Sequence, residues 1–147
     1  QWSSSAASDV YKRQRVEHSL QAATRAFKNK ESNEMIVATL LHDIGDDLAP
    51  MNHSQYAASI LRPYVSERTY WIILHHGLFQ TYYSAHHLGG DRNSRDQFRN
   101  HKYYQDTIDF CEQYDQCSFD PNYKNMRLSD FAPLVKEIFS RDPYYYL

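Results

Sequence analysis

The chain has little of what small extracellular or β-rich folds are built from. Two cysteines in 147 residues make no disulfide framework. Cys111 and Cys117 lie six apart, so on a helix they would face well-separated directions and could not bridge each other. Glycine occurs only four times, and no stretch alternates apolar and polar residues with period two, which excludes a hairpin-rich sheet. Long apolar runs are missing: Tyr70 to Leu74 is far short of the roughly 20 residues that span a bilayer. Positive charge is not in excess either. Sixteen Lys and Arg face eighteen Asp and Glu, a net charge of −2, so the footprint of a nucleic-acid binder is absent. Two thiols and no secretory signal fit a reducing, cytoplasmic setting. Neither a membrane nor a nucleic acid is expected as a partner.

What is present is aromatic and histidine-rich. Thirteen Tyr, seven Phe and two Trp exclude a disordered chain. The length suits one domain, able to bury roughly 70% of its unfolded surface without staples. Eight His, several beside acids or one another, are the unusual count. Residues 1–14, QWSSSAASDVYKRQ, read unlike the rest and resemble translated sequencing-adapter sequence. They are expected to be a disordered or artefactual tract, with the natural N-terminus missing and a single domain over residues 15–147.

From Arg15 onward the pattern is helical. Val16, Leu20, Ala23 and Phe27 form an amphipathic stripe. Met35 to Leu41 is apolar at all positions but Thr39, which predicts a helix buried nearly all round. Gly45 and Pro50 offer a stop. Gln55 to Leu61 is a third helix, halted before Pro63. Ser66 caps a fourth that runs to His75 and His76. Gly89 and Gly90 break the chain, Ser94 to about Cys117 reads as one or two helices, and Phe131, Leu134, Val135, Ile138 and Phe139 form the last stripe. The fold class is an all-α bundle.

The sharpest local feature is Leu40-Leu41-His42-Asp43-Ile44-Gly45. A carboxylate at the end of a buried helix needs a metal, a cation or several donors, although a His-Asp pair also serves as a local hydrogen-bond pair. His53 lies in a polar loop, His76 ends an apolar helix, and Asp115 shares an i, i+4, i+7, i+11 stripe with Tyr104, Ile108 and Cys111. An acid on such a face should have a partner. A helical wheel places His18 opposite its stripe, in solvent. Arg92, Arg95, Arg99 and Lys102 share one face if helical, either an anion site or a solvated stripe paired with Asp91, Asp96 and Asp106. The cluster Tyr82, Tyr83, His86 and His87 either lines a pocket or packs under a loop.

Val16-Glu17-His18-Ser19-Leu20-Gln21 followed by Leu40-Leu41-His42-Asp43-Ile44-Gly45 resembles the HD-domain superfamily of metal-dependent phosphohydrolases, whose ligand order is H…HD…H…H…D. The match spans about His18 to Asp115. Within the superfamily the chain is most similar to the mixed-valent di-iron oxygenases that cleave hydroxylated aminophosphonates; Ser66-Glu67-Arg68 matches that branch too, and counting from Ser66 selects His76 as the ligand over His75. The resemblance implies a helical bundle around a dinuclear metal site. His18, His42, Asp43 and Asp115 would hold one ion, and His53 and His76 the second, with Asp43 as the bridging catalytic ligand. Iron as Fe(II)/Fe(III) is expected, with manganese, cobalt or zinc as alternatives. Gln80 and Asp46 stand where that branch has a Lys and a second His, so they are the expected substrate contacts, and a phosphonate in the same pose is disfavoured. The branch also guards its iron with a Tyr and a Glu, where this chain has Ser8 and Tyr11, within the suspect tract. The implied activity is oxygen-dependent cleavage of a small hydroxylated substrate, organophosphonate-like or of another class, with dioxygen as a partner. A phosphohydrolase acting on a phosphomonoester or nucleotide is the alternative, and a non-catalytic scaffold the third.

Overall fold

The structure, a computed structural model, describes residues 4–144. Six α-helices carry it: α1 (Ser4–Lys28), α2 (Asn33–Leu41), α3 (His53–Leu61), α4 (Glu67–Gln80), α5 (Tyr104–Phe110) and α6 (Leu128–Phe139). Among the described residues there is no strand, and no helix is long and apolar enough to cross a membrane. The all-α class is therefore correct.

The helix ends follow local chemistry. Ser32 and Ser66 cap α2 and α4, their hydroxyls accepting from the amides of Met35 and Thr69 at 3.2 and 3.3 Å. α1 closes at Lys28, and Lys30 turns the chain with φ 60°. α2 is the central element, buried from Met35 through Leu40. It packs against α1, α4 and α6, while α3 lies along α4 and α4 along α5. One cluster of apolar side chains, including Val37, Leu61, Ile72, Phe79 and Phe131, fills the centre.

Residues 1–3 of the N-terminal tract lie outside the described residues; residues 4–14 are helical and continuous with α1. Ala6, Ala7, Lys12, Arg13 and Gln14 are good helix formers, and the tract extends a helix already anchored downstream. Two expectations are corrected. Of the Val16/Leu20/Ala23/Phe27 stripe of α1, only Leu20 and Ala23 turn inward. Val16 and Phe27 are exposed, whereas His18, Gln21, Ala22, Ala23, Thr24 and Ala26 are buried. Small residues let α1 approach α2 closely, and a wheel weighted by hydrophobicity undervalues them. Finally, residues 92–102 form no continuous helix. A 3-10 turn at Ser94–Phe98 ends them as a common face, and the guanidiniums of Arg92 and Arg95 lie over the Tyr82 ring at 4.1 and 3.7 Å.

Candidate metal centre

Five segments bring six side chains to one place. His42 directly follows α2, is fully buried, and sets its Nδ1 2.6 Å from the Thr39 carbonyl. Asp43 comes next, in a turn that closes on α3: a Cβ at Gly45 would lie 2.4 Å from the Tyr56 ring, so only glycine permits this approach. His18 projects from α1 and is 3% exposed, with Nδ1 2.9 Å from the Ser118 carbonyl. The solvent position drawn from the helical wheel is thus overturned. His53 begins α3, its Nδ1 3.3 Å from the Pro50 carbonyl. His76 lies in α4, its Nδ1 2.6 Å from the Ile73 carbonyl.

Asp115 owes its place to a π turn. α5 widens over Cys111–Asp115, where the Gln116 amide reaches the Cys111 carbonyl at 2.7 Å. Such a turn inserts a residue into the helix and re-aims the side chains beyond it. Cys111, Tyr114 and Asp115 are all buried there, so an unbroken α-helical stripe from Tyr104 is not what delivers the carboxylate.

The six side chains form two groups that share Asp43. In the first, His18 Nε2 lies 3.0 Å from Asp115 Oδ1, 3.3 Å from His42 Nε2 and 3.4 Å from Asp43 Oδ2. His42 Nε2 lies 3.1 Å from Asp43 Oδ2 and 3.4 Å from Asp115 Oδ1. In the second, His53 Nε2 and His76 Nε2 each lie 3.4 Å from Asp43 Oδ1. Asp43 thus turns one oxygen to each group.

The tautomers decide what such groups can hold. Each of the four imidazoles presents Nδ1 to a backbone carbonyl, which requires a proton on that nitrogen. In a neutral ring Nε2 is then a lone pair. Imidazole lone pairs and carboxylate oxygens 3.0–3.4 Å apart need cations between them, either added protons or a metal. Protons alone leave their mark on the pKa values. Burial opposes a charge on His42, but Asp43 and Asp115 outweigh it and push the imidazole well above its ordinary value. His18 is raised against the same burial by Asp115 and Asp43. Burial likewise opposes ionisation of Asp43 and Asp115. For both, the charge of His42 and hydrogen bonds from His18 and His42 prevail and hold the carboxyls below the usual range. Metal ions fit as well as protons. Donors at about 2.0–2.2 Å from one centre stand about 3.0–3.5 Å from each other, and all six are N or O, the set that hard and borderline divalent ions take.

A cleft of about 220 Å³ opens beside the groups, lined by Arg15, His18, Asp43, Asp46, His53, His76, Gln80, Ser84 and others. Asp46 accepts from the Tyr11 hydroxyl at 2.5 Å and faces Arg15 Nε at 3.4 Å. Gln80 donates to Gln116, and its Oε1 is buried without a partner. Thr81 and Ser84 line the cleft while Tyr82 and Tyr83 do not, and His86 and His87 are exposed. Sequence reasoning missed Arg15, which donates through Nη2 to Asp43 Oδ2. Its signal was available: Arg15 precedes His18 by three residues, hence on the same helix face.

The HD domain family matches residues 15–114, and the chain belongs to that family, whose fold is of the metal-dependent phosphohydrolase type. His18, His42, Asp43, His53 and His76 fall within the matched span, and Asp115 lies directly after it. Among curated proteins none matches the chain.

Proposed function

We propose that this protein is a dinuclear metalloenzyme that oxidises a small hydroxylated substrate with dioxygen. One observation carries the two-ion part: Asp43 directs Oδ2 toward His18 and His42 and Oδ1 toward His53 and His76. His18, His42, Asp43 and Asp115 would hold one ion, His53 and His76 the other, with Asp43 between them. When bound, such ions supply Lewis acidity, and as an iron pair they add the capacity to reduce dioxygen.

The surroundings support a small substrate without a phosphoryl group. The cleft, about 220 Å³, falls below the usual range for drug-sized ligands, roughly 300–1,000 Å³. Among the described residues Arg15 is the one Arg or Lys on its lining, and it is already engaged by two carboxylates. Gln80 Oε1 is a buried acceptor, suited to a hydrogen bond donated by a substrate hydroxyl. Asp46 lines the same cleft as a second polar contact, and Phe119 stacks on His18 at 4.3 Å.

Family membership favours a second reading, hydrolysis of a phosphomonoester or nucleotide by the same six residues. Metal analysis combined with aerobic and anaerobic assays separates the two. The oxygenase reading expects iron in the purified protein, a mixed-valent paramagnetic signal after partial reduction, and turnover that stops without oxygen. Oxygen-independent phosphate release by the zinc or manganese form would establish the hydrolase instead.

A further inference from the structure

Arg15 sits where neither substrate binding nor metal ligation has assigned a residue. Apart from the four imidazoles, it is the side-chain hydrogen-bonding partner of Asp43 among the described residues. Its Nη2 donates to Oδ2, and its Nε faces Asp46, which Tyr11 holds in turn.

A carboxylate that serves two ions must keep its plane fixed, yet the last torsion of Asp is broad and two-fold. Ligands engaged with ions cannot fix it by hydrogen bonding, so the task falls to a group outside the donor set. A guanidinium suits this, because its planar fork fixes direction as well as charge. Its positive charge beside two cations is unfavourable, and the Asp46 carboxylate at 3.4 Å offsets it. That gives Asp46 a role besides contact with substrate.

We propose that Arg15 is a positioning residue for the bridge, holding Asp43 so that one oxygen faces each donor group. The proposal rests on the two-ion reading. Co(II) titrated into metal-free wild type, Arg15→Met and Arg15→Lys tests it, with unfolding midpoints confirming that the variants fold. Wild type should bind two ions per chain with magnetic coupling between them. Arg15→Met should bind about 10–100-fold more weakly, the usual cost of losing a group that orients a ligand, and lose the coupling. Arg15→Lys, with the charge but without the fork, should recover affinity only in part. The wild-type stoichiometry decides the two-ion reading, and the ratio of variant to wild-type affinity decides the role of Arg15 on whichever ions bind. Arg15→Met binding at wild-type affinity with intact coupling overturns the proposal. Tighter binding overturns it too, since Arg15 would then be a competitor for Asp43.

Discussion

Replacing Gly77 by alanine should separate α3 from α4 and cost the site its second group. Gly77 lies in α4 directly after His76, and its amide donates to Ser54 Oγ at 3.1 Å. A Cβ there would stand 2.4 Å from that oxygen and 3.6 Å from the His53 ring. Alanine gains about 1 kcal/mol of helix propensity over glycine. Overpacking costs about 1–3 kcal/mol, and the lost hydrogen bond roughly 1 kcal/mol more. The net is destabilisation by about 1–3 kcal/mol, or roughly 2–12 °C in Tm for a chain of this size. Because the obstructing atom is a single hydroxyl, Ser54→Ala should reverse the sign: in that background Gly77→Ala becomes neutral or stabilising, and the cycle shows strong coupling. Thermal unfolding of the four metal-free proteins measures this, and a metal titration should show Gly77→Ala losing one ion. Gly77→Ala with wild-type stability, or a penalty unchanged by Ser54→Ala, would refute the close-approach argument.

Three further outcomes are expected. His53→Ala should leave one ion bound, whereas Asp115→Ala should release the ion shared with His18 and His42, both read by metal content after dialysis. Glu34 accepts from the Ser66 amide and hydroxyl at 2.9 and 2.6 Å, from Thr69, and from Arg141 at 2.7 Å. Burial opposes its charge, but these donors prevail and lower its pKa, so its stabilisation is present above the ordinary glutamate pKa and lost as pH falls through the folded one. Glu34→Gln should therefore flatten the acid limb of the urea midpoint against pH. Cys117 is exposed, whereas Cys111 is buried, its thiol raised by that burial and directed at the His76 carbonyl; a thiol reagent should label one cysteine in the folded chain and two in urea.

The sequence made different parts of this legible to different degrees. The helix start at Ser66 and the buried run Met35–Leu40 were readable because caps and apolar runs are local. The burial of His18 was not readable from periodicity, because the inward face of α1 is made of Ala, Thr and Gln, while Val16 and Phe27 point outward. Only the resemblance carried by Glu17-His18-Ser19-Leu20-Gln21 pointed to it. Asp115 was picked from a stripe that a π turn interrupts, and a widened turn leaves no mark in an apolar pattern. Close approaches at Gly45 and Gly77 were invisible for a related reason: the colliding partners, Tyr56 and Ser54, come from another helix.

The central claim is a pair of ions bridged by Asp43, and anomalous scattering from crystals of the manganese-loaded protein tests it most directly. Two peaks are expected, one among His18, His42, Asp43 and Asp115 and one among Asp43, His53 and His76. A single peak in the first group, or peaks away from Asp43, would contradict it.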